Sequence, residues 1–225
     1  MQIIPVIDLK DGQVVHAVRG DRAHYQAIHT HSILTSSSKL DAVLAGFLSV
    51  FPFKRFYIAD LNAIMGADTH YPLIKKLADD HPEIEFWLDN GSQLAAIDND
   101  LPNLKWVVGT ESQRFHPCKS EHDFILSLDF KNQQPAGLPD WFKQTQYWPQ
   151  IVIAMTLSKV GSNAGPDFDK LIELTLNHPN KHFVAAGGIR DCEDLAKLDE
   201  IGVHAALLAT ALHSGAISKH DLENL

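Results

Sequence analysis

The chain has 225 residues, 45% of them hydrophobic, which is enough to bury one sizeable core, and we expect a single domain over residues 1–225. With 19 Lys and Arg against 28 Asp and Glu, the net charge of −9 argues against nucleic acid and anionic membranes as partners. A phosphorylated ligand would therefore need a local binding site.

The first residues, MQIIPVIDL, have no basic region and too short an apolar run for a signal peptide, and no later stretch approaches the ~18 apolar residues of a membrane-spanning helix. We expect a cytoplasmic protein. Cys118 and Cys192 lie in unrelated contexts, as is typical of reduced thiols. His116 and Cys118 lack a second pair of ligands, so the sequence predicts no metal site.

Eight short, continuously apolar runs recur along the chain, as expected for strands of a parallel sheet that is covered on both faces. They span residues 3–8, 55–60, 84–89, 104–109, 124–129, 151–155, 182–186 and 205–209. Amphipathic helices are predicted between them at residues 38–51, 70–81, 167–178 and 192–201. The other four helices are predicted to be short. This alternation predicts a single (β/α)8, or TIM, barrel, in which the polar segments 20–37 and 130–148 form long loops over the active face.

The second half of the chain repeats features of the first. Asp60, Gly91 and Thr110 correspond to Thr156, Gly188 and Thr210 at offsets of 96, 97 and 100 residues. Asp8 and Asp129 then pair as the ends of the first and fifth strands. The near-constant offsets indicate two fused half-barrels.

Four predicted strands end in a carboxylate, and in a barrel such ends converge on one basin. These residues are Asp8, Asp60, Asp89 and Asp129. Two carboxylates across a substrate can act as general base and general acid. The alternative for each is that it caps a turn or the following helix.

A candidate phosphate site lies in AAGGIRDCEDL (185–195), where a strand, two glycines and a helix start follow one another. Gly187 and Gly188 allow close approach of the backbone to an anion, and Asp191 is a candidate helix N-cap. The glycine-rich loop 160–167 and the segment 209–212 after the last strand belong to the same region. Loops after strands seven and eight of a barrel often hold a phosphate.

Six motifs, taken in order, resemble the ribotide isomerases of histidine biosynthesis (ProFAR isomerases) over nearly the whole chain. They are PVIDLKDGQVV, FYIADLNA, VVGTES, LSLDF, AGGIRDCEDL and LLATAL. The resemblance implies a two-fold repeated (β/α)8 barrel that converts an aminoaldose to an aminoketose without a metal or organic cofactor, on a substrate with a phosphate at each end.

The resemblance also implies roles for individual residues. Asp8 would be the general base and Asp129 the general acid, with Thr156 as a further catalytic candidate. A phosphate would bind in the second half, at Gly161, Ser162, Gly187, Gly188 and Thr210. His16, Asp60, Asp89, Gly109 and Thr110 are further candidates for substrate binding.

Three departures from the family pattern bear on the substrate. His16 replaces an arginine, which removes a fixed bidentate fork. Met155 and Thr156 stand where the family has Thr-Asp, so either Met155 replaces the working threonine or an alignment gap returns Thr156 to that role. Asp89 and Asn90 lie where the first phosphate loop should offer only backbone, and a carboxylate there repels phosphate.

These departures resemble a divergent branch from methane-forming and methyl-oxidising microbes that is associated with one-carbon cofactor pathways. We therefore expect an isomerase, or another acid/base enzyme of such a pathway, acting on a phosphorylated and ribose-derived metabolite. The alternatives are a barrel that only binds its ligand, which retention of Asp8 and Asp129 disfavours, and an aldol-type enzyme using Lys159 as a Schiff base. The sequence does not determine the oligomeric state.

Overall fold

Eight parallel strands close into a barrel in the computed structural model, which describes residues 1–97 and 101–224. Strands adjacent in the chain pair with one another, and the last pairs with the first. The predicted (β/α)8 fold is confirmed. The strands are β1 (Gln2–Lys10), β2 (Arg55–Asp60), β3 (Glu85–Asp89), β4 (Leu104–Gly109), β5 (Ile125–Lys131), β6 (Ile151–Thr156), β7 (His182–Ala186) and β8 (Ala205–Leu208).

Alternate residues of each strand face two separate cores, because successive side chains of a strand point to opposite faces. The barrel interior is filled by one set, in which every strand takes part: Ile4, Tyr57, Trp87, Val107, Ile125, Ile153, Val184 and Ala205. The other set, which includes Ile7, Phe56, Phe86 and Leu126, packs against the helices. The lower barrel is thus solid, and only its upper end can hold a ligand.

Four helices of nine to eleven residues match the four predicted amphipathic segments to within two residues at each end, and the others are a single turn or slightly more. Asp167 and Asp191 are N-caps, their carboxylates accepting hydrogen bonds from the amides of Lys170 and Asp194. No helix in the described part of the chain is long and apolar enough to cross a bilayer. The helices are α1 (Leu40–Val50), α2 (Leu61–Ile64), α3 (Tyr71–Asp80), α4 (Asp140–Lys143), α5 (Phe168–Asn177), α6 (Cys192–Glu200), α7 (Thr210–His213) and α8 (Lys219–Glu223).

The predicted half-barrel repeat extends to details of the backbone. Helices α3 and α5 begin and end 97 residues apart, and a histidine follows each. After β1 and β5 the chain turns back into a short antiparallel strand, Gln13–His16 and Gln134–Pro135 respectively. Both hairpin turns have two successive residues with positive φ, at positions 11–12 and 132–133, as a tight hairpin requires.

Candidate active site

A cavity with about 970 Å³ of empty space, open solvent at its mouth included, lies at the carboxyl ends of the barrel strands. Asp8, Asp89 and Asp129 reach it from β1, β3 and β5. Since β1 and β5 are four strands apart in either direction around the barrel, Asp8 and Asp129 lie on opposite sides of this cavity.

The inward direction of these three carboxylates follows from strand alternation. Asp8 shares its face of β1 with Ile4, and Asp129 shares its face of β5 with Ile125, both in the barrel interior. Asp60 and Thr156 have the opposite parity, since they share a face with Ile58 and with residues 152 and 154, which pack against the helices. Neither Asp60 nor Thr156 lines the cavity, which differs from the roles expected for them.

Asp129 is held by three groups that donate to its carboxylate. The Ser127 hydroxyl donates to Oδ1 at 2.7 Å, and the Glu111 amide and the Thr110 hydroxyl donate to Oδ2 at 2.9 and 3.3 Å. Burial nevertheless raises the pKa of Asp129 to about 7, and the Asp89 carboxylate contributes to the rise. Thr110 therefore contacts Asp129 and does not line the cavity itself.

Asp8 faces the cavity from the opposite side. Burial raises the pKa of Asp8 to about 7, while the positive charge of Arg22 opposes the rise. Arg22 extends from the loop after β1 and forms an ion pair with Glu111, which lies beyond β4. Tyr25 of the same loop also lines the cavity, and burial followed by the negative charge of Asp8 raises the pKa of Tyr25 to about 12.

Asp89 lies beside Asp129 and is tied to the barrel interior. The Tyr57 hydroxyl donates to Oδ2 of Asp89 at 3.0 Å, and the Gly91 amide donates to Oδ1 at 3.1 Å. Burial raises the pKa of Asp89 to about 6. Gly109 makes this crowding feasible, because a Cβ there would lie 3.2 Å from Asp129 Oδ2 and 3.4 Å from Asp89 Oδ2.

The candidate phosphate loops line the other part of the cavity. Gly187 and Gly188 have φ of 102° and 85°, and within the described residues neither amide donates a hydrogen bond. Neither position has room for a side chain, since a Cβ on Gly187 would lie 2.7 Å from the Thr156 carbonyl oxygen and one on Gly188 would lie 2.5 Å from the Gly165 carbonyl oxygen. Of the other candidate phosphate-binding residues, Gly161 and Thr210 line the cavity, whereas Ser162 does not, and its hydroxyl donates to the Lys159 carbonyl.

His16 does not line the cavity but lies next to Thr210, which does. Its Nε2 is 3.2 Å from Thr210 Oγ1, and its ring packs 4.6 Å from that of His31. Burial and the neighbouring His31 lower the pKa of His16. The loop after β1 is thereby fixed to the second half of the barrel, where the Arg19 amide also donates to the Val160 carbonyl at 2.8 Å.

Lys159, the candidate Schiff-base lysine, does not line the cavity. Its ammonium group donates to the Pro166 carbonyl at 2.9 Å and so braces the loop after β6. This placement disfavours the aldol-type alternative.

Asp60 acts as a structural carboxylate. It is fully buried and accepts hydrogen bonds from the Thr69 hydroxyl and from the amides of Ala63 and His70, and His70 Nδ1 lies 2.8 Å from its Oδ1. Asp60→Asn replaces one carboxylate oxygen, which accepts hydrogen bonds, by an NH2 group that points at other donors. We therefore expect this substitution to lower the free energy of unfolding by about 1–3 kcal/mol. Urea denaturation measures this. Unchanged stability with lost ligand binding would instead assign Asp60 to the binding site.

The cavity residues that were not identified from the sequence include Arg22, Tyr25, Tyr57 and Glu111. Tyr57 and Glu111 could have been predicted from the sequence. Tyr57 is two residues before Ala59 and so on the same inward face of its strand, and Glu111 lies within the motif VVGTES. Arg22 and Tyr25 could not, since the loop that carries them has no periodic pattern.

Residues 2–114 and 131–218 match the profile of a family described as "Histidine biosynthesis protein". An uncharacterized protein of Methanocaldococcus jannaschii is 31% identical over 100% of this chain and 98% of its own length. Imidazole-4-carboxamide isomerases, whose name specifies two phosphoribosyl groups, are 23% identical in Listeria welshimeri and 24% in Bacillus cereus, covering 99% and 100% of this chain and 97% of each relative.

Proposed function

Because this chain belongs to the histidine biosynthesis protein family, we propose that it is an intramolecular isomerase that rearranges a phosphorylated aminoaldose to an aminoketose. The observation that carries the proposal is the placement of Asp8 and Asp129 on opposite sides of one cavity, with a glycine-rich loop at a third side. Relatives of similar length are isomerases of a phosphoribosyl compound by name.

The surroundings of the two carboxylates favour Asp8 as the base and Asp129 as the acid. Arg22 is the positive charge beside Asp8 and stabilises its ionised form. The negative charge of Glu111 acts on Asp129 and stabilises its protonated form, whereas the charge of Asp89 raises the pKa of both Asp8 and Asp129. Burial raises the pKa of Asp8 and of Asp129 to about 7, which is the range in which acid/base catalysis at neutral pH is most effective.

The proposed reaction needs only proton transfers. Asp129 protonates the ring oxygen of the sugar, the C1–O bond breaks, and the nitrogen lone pair forms a C1=N iminium. Asp8 then removes the proton from C2, which gives an enaminol. Reprotonation at C1 with loss of the C2 hydroxyl proton yields the ketone, so that the product is an isomer of the substrate.

The test is solvent deuterium incorporation. N-alkyl ribosylamine 5-phosphates, formed from ribose 5-phosphate and primary amines, are incubated with the protein in D2O. We expect ketose products that carry one deuterium at C1, detected by mass spectrometry and NMR. Absence of ketose with every amine, while inorganic phosphate binds, would contradict the proposed reaction.

The pH dependence should respond in opposite senses to the two partners of the ion pair across the cavity mouth. Arg22→Met removes the charge that opposes the rise in the pKa of Asp8, so the acidic limb of kcat/KM should move to higher pH by about half a unit or more. Glu111→Gln removes a charge that raises the pKa of Asp129, so the alkaline limb should move to lower pH. Both variants break the same ion pair, and identical shifts in the two would refute these assignments.

Complementation of a histidine auxotroph that lacks ProFAR isomerase is expected to fail or to be weak. His16 stands in place of an arginine, and Met155 rather than a threonine lines the cavity at the end of β6. Interactions that position a substrate can be worth orders of magnitude in rate. Robust growth on minimal medium would show that these two departures matter little.

A further inference from the structure

The two halves of the barrel have equivalent loops, but their backbone amides are used differently. After β7, the amides of Gly187, Gly188 and Ile189 donate no hydrogen bond within residues 1–97 and 101–224. After β3, the Gly91 amide donates to Asp89 Oδ1 and the Ser92 amide donates to Asn90 Oδ1, both at 3.1 Å. Side-chain oxygens of the protein thus occupy the place that a phosphate oxygen takes in an anion-binding loop.

Two glutamines close the same region further. Gln93 donates to the Ser112 carbonyl and Gln113 donates to the Ser92 carbonyl, each at 2.8 Å. Their carboxamide oxygens accept from the amides of Arg114 and Leu94, at 2.9 and 3.1 Å. This reciprocal pair joins the loops after β3 and β4 and satisfies amides that would otherwise be available to a ligand.

The charged residues that line the cavity also disfavour a second phosphate near the loop after β3. Four carboxylates line the cavity, those of Asp8, Asp89, Glu111 and Asp129, and Arg22 is the one Lys or Arg among the lining residues that the structure describes. Arg22 is already engaged with Glu111. The carboxylate of Asp8 lines the cavity and accepts no hydrogen bond from the described residues, so it is free to accept one from a donor on a ligand.

We infer that the substrate carries one phosphate, bound by the loops after β7 and β8, and that the part of it reaching Asp8, Asp89 and Asp129 carries, besides the nitrogen that forms the iminium, a protonated nitrogen rather than a second phosphate. This inference rests on the proposed function and narrows its substrate class. A second phosphate would meet carboxylates and occupied amides, whereas an ammonium group offers three donors to oxygens that only accept when ionised.

Three commercially available ligands separate these substrate classes in calorimetric titrations at about pH 7. Glucose 6-phosphate has one phosphate, glucosamine 6-phosphate adds an amine, and fructose 1,6-bisphosphate has a second phosphate. We expect glucosamine 6-phosphate to bind at least tenfold more tightly than glucose 6-phosphate, and the bisphosphate to bind no more tightly than glucose 6-phosphate. A bisphosphate that binds tenfold more tightly than glucose 6-phosphate would overturn the inference.

Asp89→Asn supplies the matched variant, because it removes a charge and keeps the size of the side chain. We expect it to reduce the preference for glucosamine 6-phosphate over glucose 6-phosphate severalfold and to leave the affinity for inorganic phosphate unchanged. An unchanged preference would count against the inference, and the wild-type titrations stand whether or not this variant folds. Inorganic phosphate keeps the two proposals distinct: if it fails to bind the wild-type protein, the proposed function itself is wrong, whereas binding of phosphate with preference for the bisphosphate removes only the single-phosphate inference.

Discussion

Replacing either Asp8 or Asp129 by asparagine is expected to lower kcat by roughly 10²-fold or more, the range measured when a general acid or base is lost. Each substitution keeps the size of the side chain and removes its ability to exchange a proton at neutral pH. The affinity for inorganic phosphate should remain nearly that of the wild type, because the loops that we propose bind phosphate lie after β7 and β8. Steady-state kinetics and calorimetric titration measure the two quantities separately.

Asp60→Asn is the matched control for these variants, since Asp60 also ends a barrel strand but faces the helices. It should lose stability and keep its turnover per folded molecule within about twofold, because no proton transfer involves it. Near-normal turnover in both Asp8→Asn and Asp129→Asn would refute the mechanism. A large loss of turnover in Asp60→Asn, measured at a temperature where the variant is folded, would show that position at a strand end matters more than the direction of the side chain.

The sequence predicted the barrel well because both of its signals are local. Each strand is a short apolar run, and each long helix has an apolar stripe, as in α3, where residues 74, 77 and 78 are buried. The near-constant spacing between equivalent residues of the two half-barrels could also be read from the sequence. A position at the end of a strand, however, shows only that the residue lies near the carboxyl-end opening of the barrel. Whether its side chain faces the cavity depends on whether it lies an even or an odd number of residues from an inward-facing position of the same strand.

This distinction explains which site predictions the structure places at the cavity. Asp8, Asp89 and Asp129 lie an even number of residues from an interior position, whereas Asp60 and Thr156 lie an odd number away. These even and odd separations could have been counted in the sequence. The positions of Arg22 and Tyr25 could not have been predicted, because the loop that carries them is fixed by contacts with the distant loop after β6, including the bond from the Arg19 amide to Val160.

The proposed phosphate-binding role of the loop after β7 can be tested at a single glycine that has a matched control elsewhere in the chain. Gly188 and Gly202 have nearly the same φ, 85° and 80°. Alanine at either position is strained by about 1–2 kcal/mol. They differ in their surroundings, because a Cβ on Gly188 would lie 2.5 Å from the Gly165 carbonyl oxygen, whereas one on Gly202 would meet nothing within 4 Å.

Gly188→Ala is therefore expected to displace the loops after β6 and β7 relative to each other, since the Gly165 amide also donates to the Gly188 carbonyl at 3.0 Å. Loss of even one well-placed amide from an anion site should weaken the binding of inorganic phosphate by at least about tenfold, which corresponds to ~1.4 kcal/mol. Gly202→Ala should lower the melting temperature and bind phosphate as the wild type does. Equal phosphate affinities in the two variants would place the anion elsewhere in the cavity. Parallel losses of affinity and stability in both would mean that strain, rather than the contact with Gly165, sets the effect.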